Sequence, residues 1–207
     1  MAGQFEAAGD GGAAVALDEV EISILRSLAV QLLELIGPGE EPAEGEDPLA
    51  ALFAEGPSEP PSDPALARLF PDAYRGPGAD LAEVAGAVDA AGREDARTAS
   101  ADFRRFTEND LRARKRADAL AVVRALDAVT VRGEGGAVLT LTGDESRQWL
   151  GALNDLRLAI GTRLEVSDDE DGGGLYALPD EDPRKPMVMA YLWLGALQET
   201  LIETLAD

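Results

Sequence analysis

Residues 141–164, LTGDESRQWLGALNDLRLAIGTRL, hold the clearest recurrence of apolar positions in the chain, and its period is helical. Thr142 with Glu145 forms a capping box, and at about 100° per residue Trp149, Leu150, Leu153, Leu156 and Ile160 fall on one arc. Gly161 is expected to stop the helix, which places the element at 142–160. Arg157 falls between Leu150 and Leu153 on that arc with Asn154 at its edge, whereas Leu158 lies opposite and calls for a second contact. A guanidinium so placed is expected to be held by a carboxylate or by helix-end carbonyls, because burying it unpaired is costly. Asp155 is expected to project outward and to pair with Arg104 or Arg163.

The same reading places the other elements. Residues 4–8 and 13–17 flank a GDGG turn and suggest a short hairpin. Asp18 with Glu21 opens a second capped helix, Leu17 and Ile22 stand at staple spacing, and Leu25, Leu28, Leu32 and Leu35 or Ile36 continue its apolar face to the stop at Gly37-Pro38-Gly39. Residues 93–132 contain neither glycine nor proline. Ala96, Ala99, Phe103, Phe106, Ala113, Ala117, Leu120 and Leu126 trace helical spacing there, as one long helix or as two meeting near 114–118. Glu108 with Arg112 and Asp110 with Arg114 read as ion pairs on a solvated face. β-Branched runs at 129–132 and 137–141 around Gly133-Glu134-Gly135-Gly136 predict a second hairpin. The last helix follows Asp182-Pro183, and its 187–197 stretch is apolar on every side. It is either the central helix of a bundle or in part a subunit interface.

Residues 38–63 change the picture, because eight acids and no base lie among Pro and Gly between residues 37 and 63, a composition that cannot fold by itself. Within it, residues 47–53 form a capped turn that is either a small surface helix or a tethered docking motif; residues 63–70 repeat the pattern, with Asp63 as cap and Pro64 at the first helical position.

Composition then narrows the chemistry. The 207 residues carry a net charge of -22, which argues against nucleic acid and anionic membrane surfaces, and the length favours one domain. The 187–197 run is well short of the roughly 18–20 apolar residues of a membrane span, and a cytoplasmic location is expected. Histidine and cysteine are both absent, which removes disulfides, thiol nucleophiles, imidazole acid/base chemistry and the usual zinc ligand sets. No phosphate-loop motif occurs. The acidic run from Ser167 to Gly172 lacks the first and twelfth ligands of a calcium loop, so a solvated loop is expected, and no cofactor or metal is expected anywhere. Arg112, Arg114, Lys115 and Arg116 make the one dense basic cluster, and in so acidic a chain it is expected to meet the protein's own acids or a partner's.

The runs LNDLRLAIGTRL, LFPDAY (69–74) and FRRFTENDLR (103–112) resemble an uncharacterised actinobacterial domain-of-unknown-function family over nearly the whole chain. The resemblance implies a cytoplasmic, mainly helical protein and, since genes of the family lie near that of the ClpS adaptor, a link to Clp-type proteolysis. The expected architecture is mainly α: a single-domain helical bundle of four or five main helices with one or two short β-hairpins and an acidic disordered insertion. Two functions stay open. One is a non-enzymatic adaptor or regulatory module that binds another protein, as a monomer or as a homodimer through an apolar helix. The other is an arginine-lined site for a small anionic ligand, extended to carboxylate-driven hydrolysis. Arg104, Arg105, Glu108, Asn154, Asp155, Arg157 and Arg163 are the candidate site residues.

Overall fold

The computed structural model describes residues 3–38, 55–74, 90–129, 136–166 and 178–206. The 47–53 motif, the acidic run after Val166 and most of the strand expected at 129–132 lie outside them. Among the described residues, five helices and a three-stranded antiparallel sheet make the fold mainly α, as the periodicity predicts. Two compact units divide the chain, one built from Met1–Gly37 and Lys115–Asp207 and the other from Pro38–Arg114.

The first unit begins with strands β1 (Phe5–Ala8) and β2 (Gly12–Leu17), which form the N-terminal hairpin. Asp10 and Gly11 at its turn both take positive φ, 61° and 70°, a conformation open to glycine and tolerated by aspartate. Helix α1 (Glu19–Ile36) follows, and its capping box is formed as expected: Glu21 N–H donates to Asp18 Oδ1 at 2.8 Å and Asp18 N–H to Glu21 Oε2 at 2.9 Å. Its buried stripe is Leu25, Ala29, Leu32 and Ile36, so Ala29 stands where Leu28 is expected. Strand β3 (Ala137–Leu141) pairs with β2, with Val15 opposite Leu139, and the sheet runs in the order β1, β2, β3. Most of the 129–132 run expected to pair with β3 lies outside the described residues; the pairing described is with β2 of the N-terminal hairpin, from Leu17 opposite Ala137 to Ala13 opposite Leu141.

Helices α4 (Gly143–Arg163) and α5 (Lys185–Ala206) pack against each other and against the buried face of the sheet. Phe5 of β1 meets Trp149 of α4 edge-on, centroids 6.0 Å apart, and Phe5 N–H donates to Thr200 Oγ1 of α5 at 3.1 Å. The core of this unit gathers Val15, Leu25, Leu141, Trp149, Leu153, Leu194, Leu197 and Leu201. Burial of α5 on every side is not observed: Val188, Leu194, Leu197, Leu201 and Thr204 are buried while Met189 is 55% and Ile202 48% exposed. An apolar face survives on its outer side because the sheet and α4 cover only the other.

Helix α4 also ends differently from expectation. It runs through Gly161 to Arg163, and a Schellman closure follows, with Glu165 N–H to Thr162 O at 3.2 Å, Val166 N–H to Gly161 O at 3.0 Å and Glu165 at φ 56°. Gly161 is buried inside the helix, where an added Cβ would lie 3.3 Å from the Tyr191 ring. Its small size serves helix packing rather than the stop.

At the other end, Thr142 caps the helix and Glu145 completes the box. Thr142→Ala is expected to cost about 1 kcal/mol. Hydrogen bonds from the Thr142 backbone and hydroxyl hold the Glu145 pKa below its ordinary 4.5. The charged carboxylate is therefore favoured in the folded state, and its contribution is present above pH 4.5 and lost as pH falls through the lowered folded value. In acid titrations followed by circular dichroism, the stability gap between the wild type and Glu145→Gln is expected to hold above that pH and to shrink below it; a gap that grows in acid would contradict this.

The second unit holds helix α2 (Pro64–Leu69) and the first part of helix α3 (Ala90–Ala128), whose last part, from Lys115, belongs to the first unit. Asp63 caps α2 by accepting from Leu66 N–H at 2.9 Å, and Leu69 and Phe70 are buried. Helix α3 is one continuous helix, which resolves the two alternatives at 114–118.

Candidate functional site

In the first unit the site residues come from α4 and α5. Tyr191, Gly195, Gln198 and Ile202 follow one another at spacings of four, three and four along α5 and so share one face. Arg157 of α4 lies across that face. Its Nη1 donates to Gln198 Oε1 at 2.5 Å, its guanidinium carbon sits 5.2 Å from the Tyr191 ring centroid, and a Cβ added to Gly195 would lie 3.5 Å from its Nε. Arg157 Nε is buried with no acceptor. The carboxylate or helix-end carbonyls expected to hold this guanidinium are not found among the described residues; a neutral amide and an aromatic ring hold it instead. An open groove of about 750 Å³ lies beside it, lined also by Val166, Leu192, Ala196, Glu199 and Glu203. Asn154 and Arg163 are exposed and line no part of the groove.

Asp155 behaves otherwise than expected. It is buried, at 2% exposure, and accepts from Lys115 Nζ at 2.6 Å, so it does not project outward. Burial of the Lys115 stem beside α4 selects this pair, at a sequence separation of 40 that helical spacing does not reveal. Arg116 donates to the carbonyls of Gly37, just past the end of α1, and of Leu33, which also accepts from Gly37 N–H. The basic cluster thus meets the protein's own groups, in part carbonyls instead of acids.

In the second unit Arg104 and Glu108, one turn apart on α3, are both buried. Arg104 donates through Nη1 to Glu108, through Nη2 to Asp72 at 2.8 Å, and through both to the Phe70 carbonyl at 3.1 Å. Burial opposes the Arg104 charge, yet its hydrogen bonds to Asp72 and Glu108 outweigh it and raise the pKa above the ordinary arginine value. Arg112 adds a 2.7 Å bond to Glu108 and stacks 4.4 Å from the Phe70 ring centroid. Glu108 is therefore no member of a solvated face. Arg105 pairs with Glu55 at 2.5 Å, and its carbonyl accepts from Gly56 N–H at 2.7 Å, which pins residues 55–56 to the helix. Phe103 and Phe106, expected on the apolar stripe, are 47% and 69% exposed; the buried stripe there is Ser100, Arg104 and Glu108. This cluster joins α2 to α3 through buried ion pairs, a structural role, although Arg104 Nε itself has no acceptor.

Comparison with known proteins places the chain. The family described as Domain of unknown function (DUF2017) matches residues 2–205. The chain belongs to that family. Among DUF2017 relatives, "Oxidative stress regulator AosR" of Mycobacterium tuberculosis and that of Mycobacterium bovis are each 32% identical over 184 residues, covering 88% of this chain and 77% of theirs. The "Putative oxidative stress regulator AosR" of Mycobacterium leprae is 31% identical over the same lengths. No solved structure matches. No helix among the described residues is long and apolar enough to cross a membrane, and no cluster of three or more metal-binding side chains occurs among them. For this DUF2017 chain the residues that sequence spacing missed are Lys115, Tyr191, Gly195 and Gln198; only the pairing of helices brings them to Asp155 and Arg157.

Proposed function

We propose that this protein is a non-enzymatic regulatory module that acts by binding another protein. The observation that carries the reading is the similarity to proteins named oxidative stress regulators over 88% of the chain. With no cysteine in the sequence, this chain contributes no thiol or disulfide of its own to such regulation. The net charge of -22 favours a basic partner and makes association fast at low salt and weaker as salt rises. In its finer form the module is linked to Clp-type proteolysis, a link that rests on the family's gene neighbourhood alone.

The experiment is affinity capture from native lysate of the protein's own cell, followed by reconstitution with the purified partner. One retained protein that rebinds in pure form, with affinity falling as ionic strength rises, is the expected result; Clp subunits among the retained proteins would support the finer form. The reading fails if no retained protein rebinds in pure form.

A further inference from the structure

We propose that the Arg157 groove between α4 and α5 is the partner-binding site, and that its occupant is a partner segment presenting one carboxylate between apolar residues, with a basic residue beside them. This deepens the reading above and rests on its claim that the protein works by protein binding.

Ion pairing of the arginines is uneven in this molecule. Arg26, Arg104, Arg105, Arg112, Arg147 and Arg184 each pair with an acid within the chain. Arg157, half-buried in a chain that carries 40 acids against 18 bases, pairs with none among the described residues. Its hydrogen bond goes to neutral Gln198, so no carboxylate among the described residues bonds it directly, and its Nε is without an acceptor. A partly desolvated guanidinium of this kind binds a carboxylate more strongly than an exposed one does, because water competes less. The Tyr191 ring on one side and Gly195 beneath fix its plane, so little side-chain entropy remains to be lost on binding.

The surroundings set the rest of the occupant. Leu192, Ala196 and Ile202 give the groove an apolar bed, and Ile202 is 48% exposed without a partner covering it. Glu199 and Glu203 stand exposed at its margin. Those two acids repel a segment rich in carboxylates and favour a lysine or arginine next to the anchoring acid, in keeping with the overall charge. A segment with apolar, acidic and basic residues within two helical turns meets all three demands.

The test selects short random displayed peptides against the full chain, then measures the selected peptides against Arg157→Met and Ile202→Glu variants whose circular dichroism and melting temperature match the parent's. Arg157→Met keeps the packing volume and removes the charge, and Ile202→Glu alters an exposed position outside the core. The expected peptides share one Asp or Glu flanked by apolar residues, and their Kd rises by about tenfold or more with either variant or on changing that acid to its amide. Selected peptides that lack the acid, or that bind Arg157→Met as tightly as the parent, overturn the groove assignment. So does acetate or phosphate competing at the peptide's own concentration, which assigns a free anion, or self-association abolished by the same substitutions, which assigns a second copy. A captured partner that binds Arg157→Met unchanged sinks the groove and leaves the proposed function standing, whereas the absence of any rebinding partner sinks that function itself.

Discussion

Arg104→Ala is expected to destabilise the unit formed by Pro38–Arg114 by about 3–5 kcal/mol, in the range for removing one member of a buried ion pair. The side chains of Arg104 and Glu108 are 4% and 3% exposed, so the deletion leaves a buried carboxylate with only part of its hydrogen bonding. It also strips the Phe70 carbonyl of two donors and frees Asp72. Arg104→Met combined with Glu108→Leu is expected to recover most of the loss, because two apolar side chains of similar volume remove both charges together. Denaturant unfolding with hydrogen exchange along residues 95–112 reads the effect. An Arg104→Ala protein within about 1 kcal/mol of the parent would show that the buried pair contributes no net stability.

Trp149→Ala is expected to cost about 3–5 kcal/mol in the other unit. Trp149 is 1% exposed, meets Phe5 edge-on and stands where α4 faces the sheet, so truncation opens a cavity that β1 and α4 can close only by shifting together. Trp149→Phe is expected to cost roughly 1–2 kcal/mol, since the indole Nε1 has no hydrogen-bond partner and its loss offsets part of the lost volume. Chemical denaturation of the two variants side by side is the measurement. Equal losses would mean that the indole N–H is satisfied in solution and that shape is not what the site demands.

Helix starts were legible in the sequence because their signals are local. Asp18 with Glu21, Thr142 with Glu145, and Asp63 with Pro64 each cap the helix expected from them, since a cap involves only three or four neighbouring residues. The acidic balance and the absence of histidine and cysteine were equally direct. The candidate site was legible only in part. Arg157 stood out because a charge interrupts an apolar arc, but its partners lie 34 and 41 residues away on another helix, and no periodicity links them.

The two halves of α3 show where pattern reading stops. From Ala119 to Leu126 the buried face is apolar, with Val122 between them, as a hydrophobic period predicts. From Ser100 to Glu108 it is polar, while Phe103 and Phe106 face solvent, because the buried Arg104 is paired with Glu108 one turn along the same helix and with the Phe70 carbonyl and Asp72 that follow α2.

The sequence by itself determined the helical class, the capped starts and the chemistry that is missing, all of which depend on residue type or on contacts within one turn. Only the tertiary structure decided which strand β3 joins, that Gly161 makes room for Tyr191, that Asp155 turns inward to Lys115, and that Arg157 meets Gln198 instead of an acid. Those outcomes depend on which surfaces become neighbours after collapse, when burial and hydrogen-bond satisfaction across distant elements outweigh local preference.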